Sequence, residues 1–152
     1  LRVAVIKHAH HSFELGQSGK DSMRLRQSGA DPMLIASRQR TAFIKEHRDN
    51  RAEPRLSEAL AMICTEQVDL VLVEGFKHEP IPKIELHRCA LRKPFLYLQD
   101  PNIIAIASDC ELPPKHSERL AHFSLDDVEK IADFIVASFI TTAKNSGQKT
   151  QP

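Results

Sequence analysis

The segment VDLVLVEGFKH, Val68 to His78, decides the fold class of this chain. Four apolar residues, Leu70–Val73, follow one another without alternation, which is typical of a strand covered on both faces. Glu74 and Gly75 come directly after them, so a carboxylate and a conformationally free backbone position lie where the strand ends. Strands of this kind belong to parallel sheets, and the segment therefore predicts an α/β protein.

Similar apolar runs recur along the chain, with helical spacing between them. The predicted strands are Val3–Ile6, Met33–Ala36, Leu70–Val73, Lys83–Leu86 and Ile103–Ala107. The predicted helices cover Ser22–Ser28, the segment from Leu56 to Cys64, and the segment from Val128 to Phe139. This alternation predicts a three-layer α/β sandwich with a mostly parallel sheet, and its ligands are expected at the carboxyl ends of the strands. We expect one domain over residues 1–143 and a disordered polar tail over residues 144–152.

Two helix ends carry capping signals. Gly29 follows the Ser22–Ser28 helix and suits the left-handed position after its last turn. Ser124, with Asp127 three residues later, resembles a capping box at the start of the last helix. Both elements are therefore expected to end or begin at these residues.

Composition indicates an ordinary globular protein, with 41% apolar residues and a formal net charge of +1. The small net charge gives no reason to expect a nucleic-acid partner. We expect no membrane-spanning segment either, because the longest apolar run, Ala59–Cys64, is far shorter than the roughly 18 to 20 residues that cross a bilayer. Cys64, Cys89 and Cys110 form no C-x-x-C pair and are odd in number. They predict neither a disulfide framework nor a cysteine zinc site, and they favour a reducing, cytoplasmic setting.

Glu74 is the first candidate for chemistry. A carboxylate at the end of such a strand holds Mg²⁺ in P-loop nucleotide-binding proteins, directly or through water. The alternative is an acidic residue that only caps a strand end. No G-x-x-x-x-G-K-[ST] loop occurs in the 152 residues. The segment around residues 16–22 is similar, but the motif would need Gly at position 14, which is Glu14, and Ser or Thr at position 21, which is Asp21. The chain also opens with Leu1 just before a core-like strand, and we expect that an N-terminal piece of a longer protein has been removed or was not included.

The segment Lys7-His8-Ala9-His10-His11 follows the first strand and is expected at the same edge of the sheet as Glu74. Its imidazoles and ammonium could receive phosphate oxygens. Alternatively, His8 and His10 point the same way on an extended chain and could bind Zn²⁺ with a third ligand. A polar loop without a ligand is the remaining interpretation.

Two further segments end near this edge. Residues 16–20 are Gly-rich and lead to a helix start where the amides of Ser22 and Met23 could meet an anion, and where Asp21 could contact Mg²⁺ or its waters. Asp109 ends the IIAIASD strand, and a carboxylate there can accept two N–H bonds from guanine. A turn-forming aspartate is the alternative for Asp109.

Five segments resemble, in this order, the molybdopterin-guanine dinucleotide biosynthesis protein B (MobB) family. They are IKHAHH, GKDSMRLRQSGA, DLVLVEGFKH, PKIELHR and IAIASD, and the likeness runs from Val3 to about Ile140. The resemblance implies a dimeric, GTP-binding, P-loop protein of the bacterial cytoplasm with weak GTPase activity. It also implies a role in assisting the guanylyltransferase that attaches GMP to molybdopterin, with Mg²⁺ accompanying GTP and with molybdopterin as a further partner.

The resemblance assigns site residues by position. Glu74 would be the catalytic acid, and Glu74 and Asp21 would hold Mg²⁺. The residues expected to line the nucleotide site or the dimer contact are Lys7, His8, His10, His11, Gly19, Lys20, Asp21, Ser22, Gly75, Lys77 and Asp109.

The chain departs from the family pattern at its start. The family begins with a strand, a phosphate loop and a helix, about 30 residues in units of this type. Without them we expect this chain alone to be inactive in phosphoryl transfer. Three rival interpretations remain. The first is a nucleotide-independent module that docks onto the guanylyltransferase or the pterin through its basic N-terminal part, since residues 1–55 hold 11 Lys and Arg against 6 Asp and Glu. The others are a metal carrier built on HAHH and a ligase of the dethiobiotin synthetase type.

Overall fold

The structure, a computed structural model, describes residues 1–9, 21–47, 53–63, 67–112 and 120–141. Its strands are β1 (Val3–Lys7), β2 (Met33–Ala36), β3 (Thr41–Ile44), β4 (Leu70–Glu74), β5 (Lys83–His87), β6 (Ile103–Ser108) and β7 (Ala121–Ser124). Its helices are α1 (Asp21–Gln27), α2 (Leu56–Ala61) and α3 (Val128–Ile135), and α3 continues as a π-helix over Val136–Thr141. Short 3₁₀ turns cover Cys89–Leu91 and Leu96–Leu98. All five predicted strands are present, while β3 and β7 were not predicted.

The chain divides into two compact units. One contains Leu1–Val5, Cys64–Leu72 and Phe76–Pro152, and the other contains Ile6–Ile63 and Val73–Gly75. The first residues of β1 and β4 therefore belong to the first unit and their last residues to the second. The single-domain boundary at residue 143 stays a prediction, and the predicted tail lies outside the described residues.

The first unit is built on a parallel sheet in the order β5-β6-β7. Its central strand, β6, has Ile103, Ala105, Ile106 and Ala107 buried, as expected for a strand covered on both faces. Ile103 and Ile106 form a core with Leu112, against which three further side chains pack: Phe95, Tyr97 and Leu120. The parallel arrangement predicted from continuous apolar runs is confirmed for this sheet.

The first strand is less covered than its sequence suggested. Ile6 is buried, but Val3 and Val5 are 46% and 65% exposed. The prediction that this strand is buried on both faces is wrong in this structure, because an all-apolar run does not by itself specify what packs against it.

The last helix packs against β7 through Phe134 and Phe123, whose ring centroids lie 5.5 Å apart. Its predicted capping box is wrong. Asp127 occupies the N-cap position, but its side chain makes no capping hydrogen bond to the helix backbone and instead accepts from Lys130 Nζ at 2.9 Å. Ser124 ends β7, where its Oγ accepts the Asp126 N–H at 3.4 Å. The serine is thus used in the turn that connects strand and helix.

The second unit contains α1, α2 and an antiparallel hairpin in which Met33 pairs with Ile44 and Ala36 with Thr41. The predicted cap after α1 is confirmed. Gly29 has a φ of 103°, its N–H donates to the Arg26 carbonyl at 2.9 Å, and the Ala30 N–H donates to the Leu25 carbonyl at 3.1 Å. This pair of hydrogen bonds is the Schellman pattern that favours glycine. Among the described residues, no helix combines the length and apolar character that a bilayer crossing requires.

A half-buried ion pair ties the start of β5 to the turn before β6. Lys83 Nζ donates to Asp100 Oδ2 at 2.7 Å, and Asn102 donates through its backbone and side-chain N–H groups to Oδ1 at 2.9 and 2.8 Å. The hydrogen bond from Lys83, followed by those from Asn102, lowers the pKa of Asp100 from 3.8 to about 2. Since the folded-state pKa is the lower one, ionised Asp100 stabilises the fold above the unfolded-state pKa, and this contribution is lost as the pH falls toward the folded-state pKa.

Asp100→Asn should therefore reduce stability at neutral pH, with a difference from the unchanged protein that shrinks as the pH falls from about 4 to about 2. Urea unfolding midpoints at several pH values measure this difference. Lys83→Met is the matched variant, because it removes the main cause of the pKa shift and should abolish most of the same pH dependence. Parallel curves for the Asn variant and the unchanged protein across this range would contradict the assignment.

Candidate functional site

The paired strands β1 and β4 place two predicted segments side by side. At one end the Asp69 N–H donates to the Arg2 carbonyl at 2.8 Å, and at the other the His8 N–H donates to the Glu74 carbonyl at 2.8 Å. Both partners advance along the chain from one bond to the next, so the two strands are parallel and their carboxyl ends lie together. The prediction that the Lys7–His11 segment and Glu74 share one edge holds for its described residues.

Lys7 and Glu74 form an ion pair at this edge. Lys7 Nζ donates to Glu74 Oε1 at 2.9 Å, and the two side chains are 64% and 66% exposed. Exposed pairs of this kind contribute little to stability, about 0–1 kcal/mol. The carboxylate can therefore exchange its lysine for another cation at small energetic cost, and the ammonium can turn to an anion.

His8 has a different environment from its neighbour Lys7. Its side chain is only 9% exposed, and Nε2 lies 2.8 Å from Oε2 of Glu53. Since a carboxylate can only accept when ionised, Nε2 carries the proton of this hydrogen bond. Glu53 was not predicted as a site residue, because it stands in a polar segment before α2 that has no motif or apolar periodicity. Its contact fixes the imidazole rather than leaving it open to solvent.

Gly75 allows β1 and β4 to approach closely where they end. Its φ is 87°, and a Cβ placed on it would lie 2.7 Å from the Cβ of His8. Phe76, with a φ of 49°, continues the same turn. The glycine that follows Glu74 is thus required twice, once for its backbone angle and once for the space that His8 occupies.

The remaining predicted residues are distributed between the two units. Asp21 lies in the first turn of α1, 3.9 Å from Arg24 as an exposed i,i+3 pair, and Ser22 follows it. Lys77 is exposed in the turn after β4 and belongs to the first unit, as does Asp109. Four predicted residues lie outside the described ones: His10, His11, Gly19 and Lys20. That these residues bind nucleotide or Mg²⁺ stays a prediction.

Asp109 connects the ends of β5 and β6. Its Oδ1 accepts the backbone N–H of Cys89 at 2.8 Å. This contact gives the carboxylate a structural task of the kind considered as the alternative to guanine recognition.

Cys89 and Cys110 correct the prediction that no cysteines pair. They are joined by a disulfide, with Cα atoms 6.0 Å apart. The reason is the parallel register of β5 and β6, in which His87 is opposite Ser108, so that residues two positions beyond each meet at the same edge. Cysteine spacing along the chain carries no sign of this, and only the neighbour relation of the two strands would have revealed it.

Comparison with known proteins supplies the family. The family model described as "MobB: Molybdopterin guanine dinucleotide synthesis protein B" matches residues 1–109. This chain belongs to the MobB family. The resemblance found in the sequence is thereby confirmed.

Two curated relatives carry the same printed name, molybdopterin-guanine dinucleotide biosynthesis adapter protein. The one from Escherichia coli K12 is 41% identical over 137 residues, which is 90% of this chain and 75% of that protein. The one from Haemophilus influenzae is 37% identical over 135 residues, which is 89% of this chain and 71% of that protein.

Solved MobB structures share the fold. One described as molybdopterin-guanine biosynthesis protein B matches with a TM-score of 0.60 and 27% identity over 90% of this chain and 80% of that chain. Bacillus subtilis MobB matches with a TM-score of 0.63 over 91% and 79%, and at 20% identity it supports the fold alone. MobB proteins are P-loop NTPase-like, so the predicted α/β class is confirmed.

Proposed function

We propose that this MobB-family chain is a GTP-binding adapter in molybdopterin-guanine dinucleotide biosynthesis, where it assists the guanylyltransferase that attaches GMP to molybdopterin. Family membership and the adapter name of relatives at 41% and 37% identity support the pathway. The observation that carries the nucleotide part is the parallel pairing of β1 and β4, because it places Lys7, Glu74 and Gly75 at one carboxyl edge. Ligands of P-loop proteins bind at such an edge.

The residues at this edge fit Mg²⁺ bound together with a phosphate chain. Glu74 is an exposed carboxylate whose present partner is an exposed ammonium, and Mg²⁺ prefers one or two such oxygens while keeping several waters. Gly75 lets the backbone come close to a ligand. Mg²⁺ would neutralise phosphate charge, with Glu74 and Asp21 as the carboxylates proposed to hold it. Lys7 adds positive charge beside Glu74 and would turn toward phosphate oxygens when the metal takes Glu74.

The setting of the proposed function is the cytoplasm, with a homodimer as the working form and molybdopterin as a further binding partner. The exposed apolar residues Val3 and Val5 on β1 support an association that covers them. Any GTP hydrolysis would be slow, with Glu74 as its acid. The first test measures nucleotide binding alone and includes neither the partner enzyme nor molybdopterin.

Calorimetric titration with GTP and ATP, each with and without Mg²⁺, tests the proposal. It should be performed on the 152-residue chain and on a version that includes any coding sequence upstream of Leu1. Mg²⁺-dependent binding of GTP over ATP by the extended protein is the expected result. Failure of both proteins to bind GTP would overturn the nucleotide part and favour the docking module.

Asp109→Asn tests the proposed guanine contact. Asn replaces one acceptor oxygen by a donor, so the pair of N–H bonds from guanine can no longer be accepted. We expect the preference for GTP over ATP in the extended protein to fall by about 10- to 150-fold, in line with roughly 1.5–3 kcal/mol for a hydrogen bond to a charged group. The variant keeps an oxygen for the Cys89 N–H and should fold normally.

The matched control for this experiment is Asp126→Asn, an exposed aspartate in the turn before α3. It should leave both nucleotide affinities unchanged. If Asp109→Asn retains the full preference for GTP, the residue is the structural aspartate of the alternative interpretation and some other group recognises the base.

A further inference from the structure

We propose that His87, Cys89 and Cys110 form a metal site that binds one Zn²⁺ when the two cysteines are reduced, and that their disulfide is the metal-free, oxidised state of this site. The proposal concerns the first unit and does not depend on nucleotide binding. The proposed GTP function assigns no role to His87, Cys89 or Cys110.

The distances suit a shared metal ion. One possible ligand atom from each of the three residues lies within 4.8 Å of the other two. Among the described residues, this is the group of three or more His, Cys, Asp or Glu side chains close enough to share one metal ion. Around a tetrahedral Zn²⁺, with bonds of about 2.3 Å to sulfur and about 2.0 Å to nitrogen, such atoms are separated by roughly 3.6–3.8 Å. Cys89 is exposed and Cys110 partly exposed, so their thiolates have room to separate to this distance. The fourth position would be left for water.

The fold, and not the disulfide alone, holds the two cysteines together. His87 ends β5 opposite Ser108 of the neighbouring strand, so Cys89 and Cys110 follow at matching positions. Asp109 Oδ1 accepts the Cys89 N–H at 2.8 Å and also lies 3.8 Å from Cys110 Sγ. Neither the strand register nor the Asp109 bond to the Cys89 N–H involves the S–S bond. We therefore expect both to keep the two thiols at one edge of this sheet after reduction.

The histidine of the site is held in place from two sides. His87 is buried, with 7% of its surface exposed. Its ring stacks on the ring of Phe95, with the two centroids 3.8 Å apart, and its Nδ1 lies 3.6 Å from Oε1 of Glu85. Glu85 is itself buried and accepts the backbone N–H groups of Leu96 and Tyr97 at 2.7 and 2.9 Å. A carboxylate beside a metal-binding imidazole is a recurrent feature of zinc sites, because it orients the ring and raises its basicity.

The donor set selects the metal. Two thiolates and one imidazole are the ligands that Zn²⁺ prefers, whereas Mg²⁺ prefers oxygen. Two thiolates also balance the charge of the ion. These three ligands therefore would not compete for the Mg²⁺ that accompanies a nucleotide.

Redox state controls this site. A dithiol reductant transfers two electrons and two protons to the disulfide and becomes a disulfide itself, which leaves two thiols on Cys89 and Cys110. Binding of Zn²⁺ releases these two thiol protons to solvent. In a reducing compartment the thiol form is favoured, since cytosolic proteins rarely keep disulfides.

The experiment is a titration of the chain with Zn²⁺ and, as a spectroscopic probe, Co²⁺, under a reductant and after oxidation. Thiol counting before each titration establishes the redox state. The reduced protein should bind one equivalent of either metal, with the charge-transfer absorption of cobalt–thiolate bonds, and the oxidised protein should bind none. Cys89→Ser and Cys110→Ser should each weaken binding by more than about 100-fold, beyond the roughly 10–100-fold caused by loss of an outer partner. His87→Gln should weaken binding while leaving the cobalt–thiolate absorption at saturating metal.

Cys64→Ser is the matched control and should bind metal as the unchanged protein does. The proposal is overturned if the reduced protein, with three thiols counted, binds no stoichiometric metal. It is overturned equally if Cys64→Ser abolishes binding while the variants at Cys89 and Cys110 do not. Resistance of the disulfide to reduction in the folded protein would also reject it, because the pair would then be a permanent covalent link.

Discussion

Gly75→Ala should destabilise the second unit by about 2–4 kcal/mol, the largest stability effect we expect from any single methyl group in this chain. A left-handed φ disfavours any residue with a Cβ by about 1–2 kcal/mol. The added Cβ would also lie 2.7 Å from the Cβ of His8, which is nearer than carbon atoms approach, so β1 and β4 must separate at their ends. His8 is held by Glu53 and by its bond to the Glu74 carbonyl, so it has little freedom to withdraw.

Gly29→Ala separates the two contributions, because Gly29 belongs to the same unit and also has a positive φ, 103°. A Cβ at Gly29 would meet no heavy atom within 4 Å. Its substitution should therefore cost only the backbone term of about 1 kcal/mol. Urea unfolding of both variants gives the comparison. Equal losses would mean that His8 moves aside freely and that the close approach of the strands is not a constraint.

The strands that the sequence predicts best are those whose side chains alone decide burial. The β6 run IIAIA is apolar at consecutive positions and lies in the centre of a parallel sheet, as its sequence indicates. By contrast, β3 and β7 have four residues each and include Thr41, His122 and Ser124, so they carry too little apolar continuity to be recognised. They form strands because each pairs with a neighbouring strand, β3 with β2 and β7 with β6. Such pairing is tertiary information that the local sequence does not carry.

The candidate site shows the same division. The pattern of a strand followed by Glu74 and Gly75 placed the carboxyl edge correctly, and the position of Lys7 after the first strand did so too. The contact of His8 with Glu53 joins residues 45 positions apart, and the Cys89–Cys110 pair depends on which strand lies beside β5. Such pairs are set by strand order and register, which local spacing does not encode. Motif reasoning therefore found the carboxyl edge of β1 and β4 and missed Glu53, whose side chain holds His8 there. It also missed the separate cysteine pair that follows β5 and β6.

Glu74→Gln should weaken Mg²⁺-dependent GTP binding by about 10–100-fold in the protein extended through its upstream segment, a loss of about 1.4–2.7 kcal/mol. The reason is that Gln has nearly the same shape but no charge to attract a hard cation or its waters. The variant loses the exposed ion pair with Lys7 as well, which changes stability by no more than about 1 kcal/mol. The effect on binding should thus be much larger than the effect on folding, which distinguishes a metal-holding acid from one that only ends a strand.

The measurement compares GTP affinity with Mg²⁺ and with a chelator in its place. The unchanged protein should bind more tightly with Mg²⁺, while Glu74→Gln should lose most of this Mg²⁺ dependence, because one of the two carboxylates proposed to hold the metal is gone. Glu129→Gln, an exposed glutamate in the first turn of α3, is the matched control and should keep the full Mg²⁺ dependence. If Glu74→Gln also keeps the full Mg²⁺ dependence of GTP binding, Glu74 does not hold the metal. Its carboxylate then only ends β4 and pairs with Lys7. Asp21→Asn then becomes the next variant to test, since Asp21 is the other carboxylate proposed for Mg²⁺.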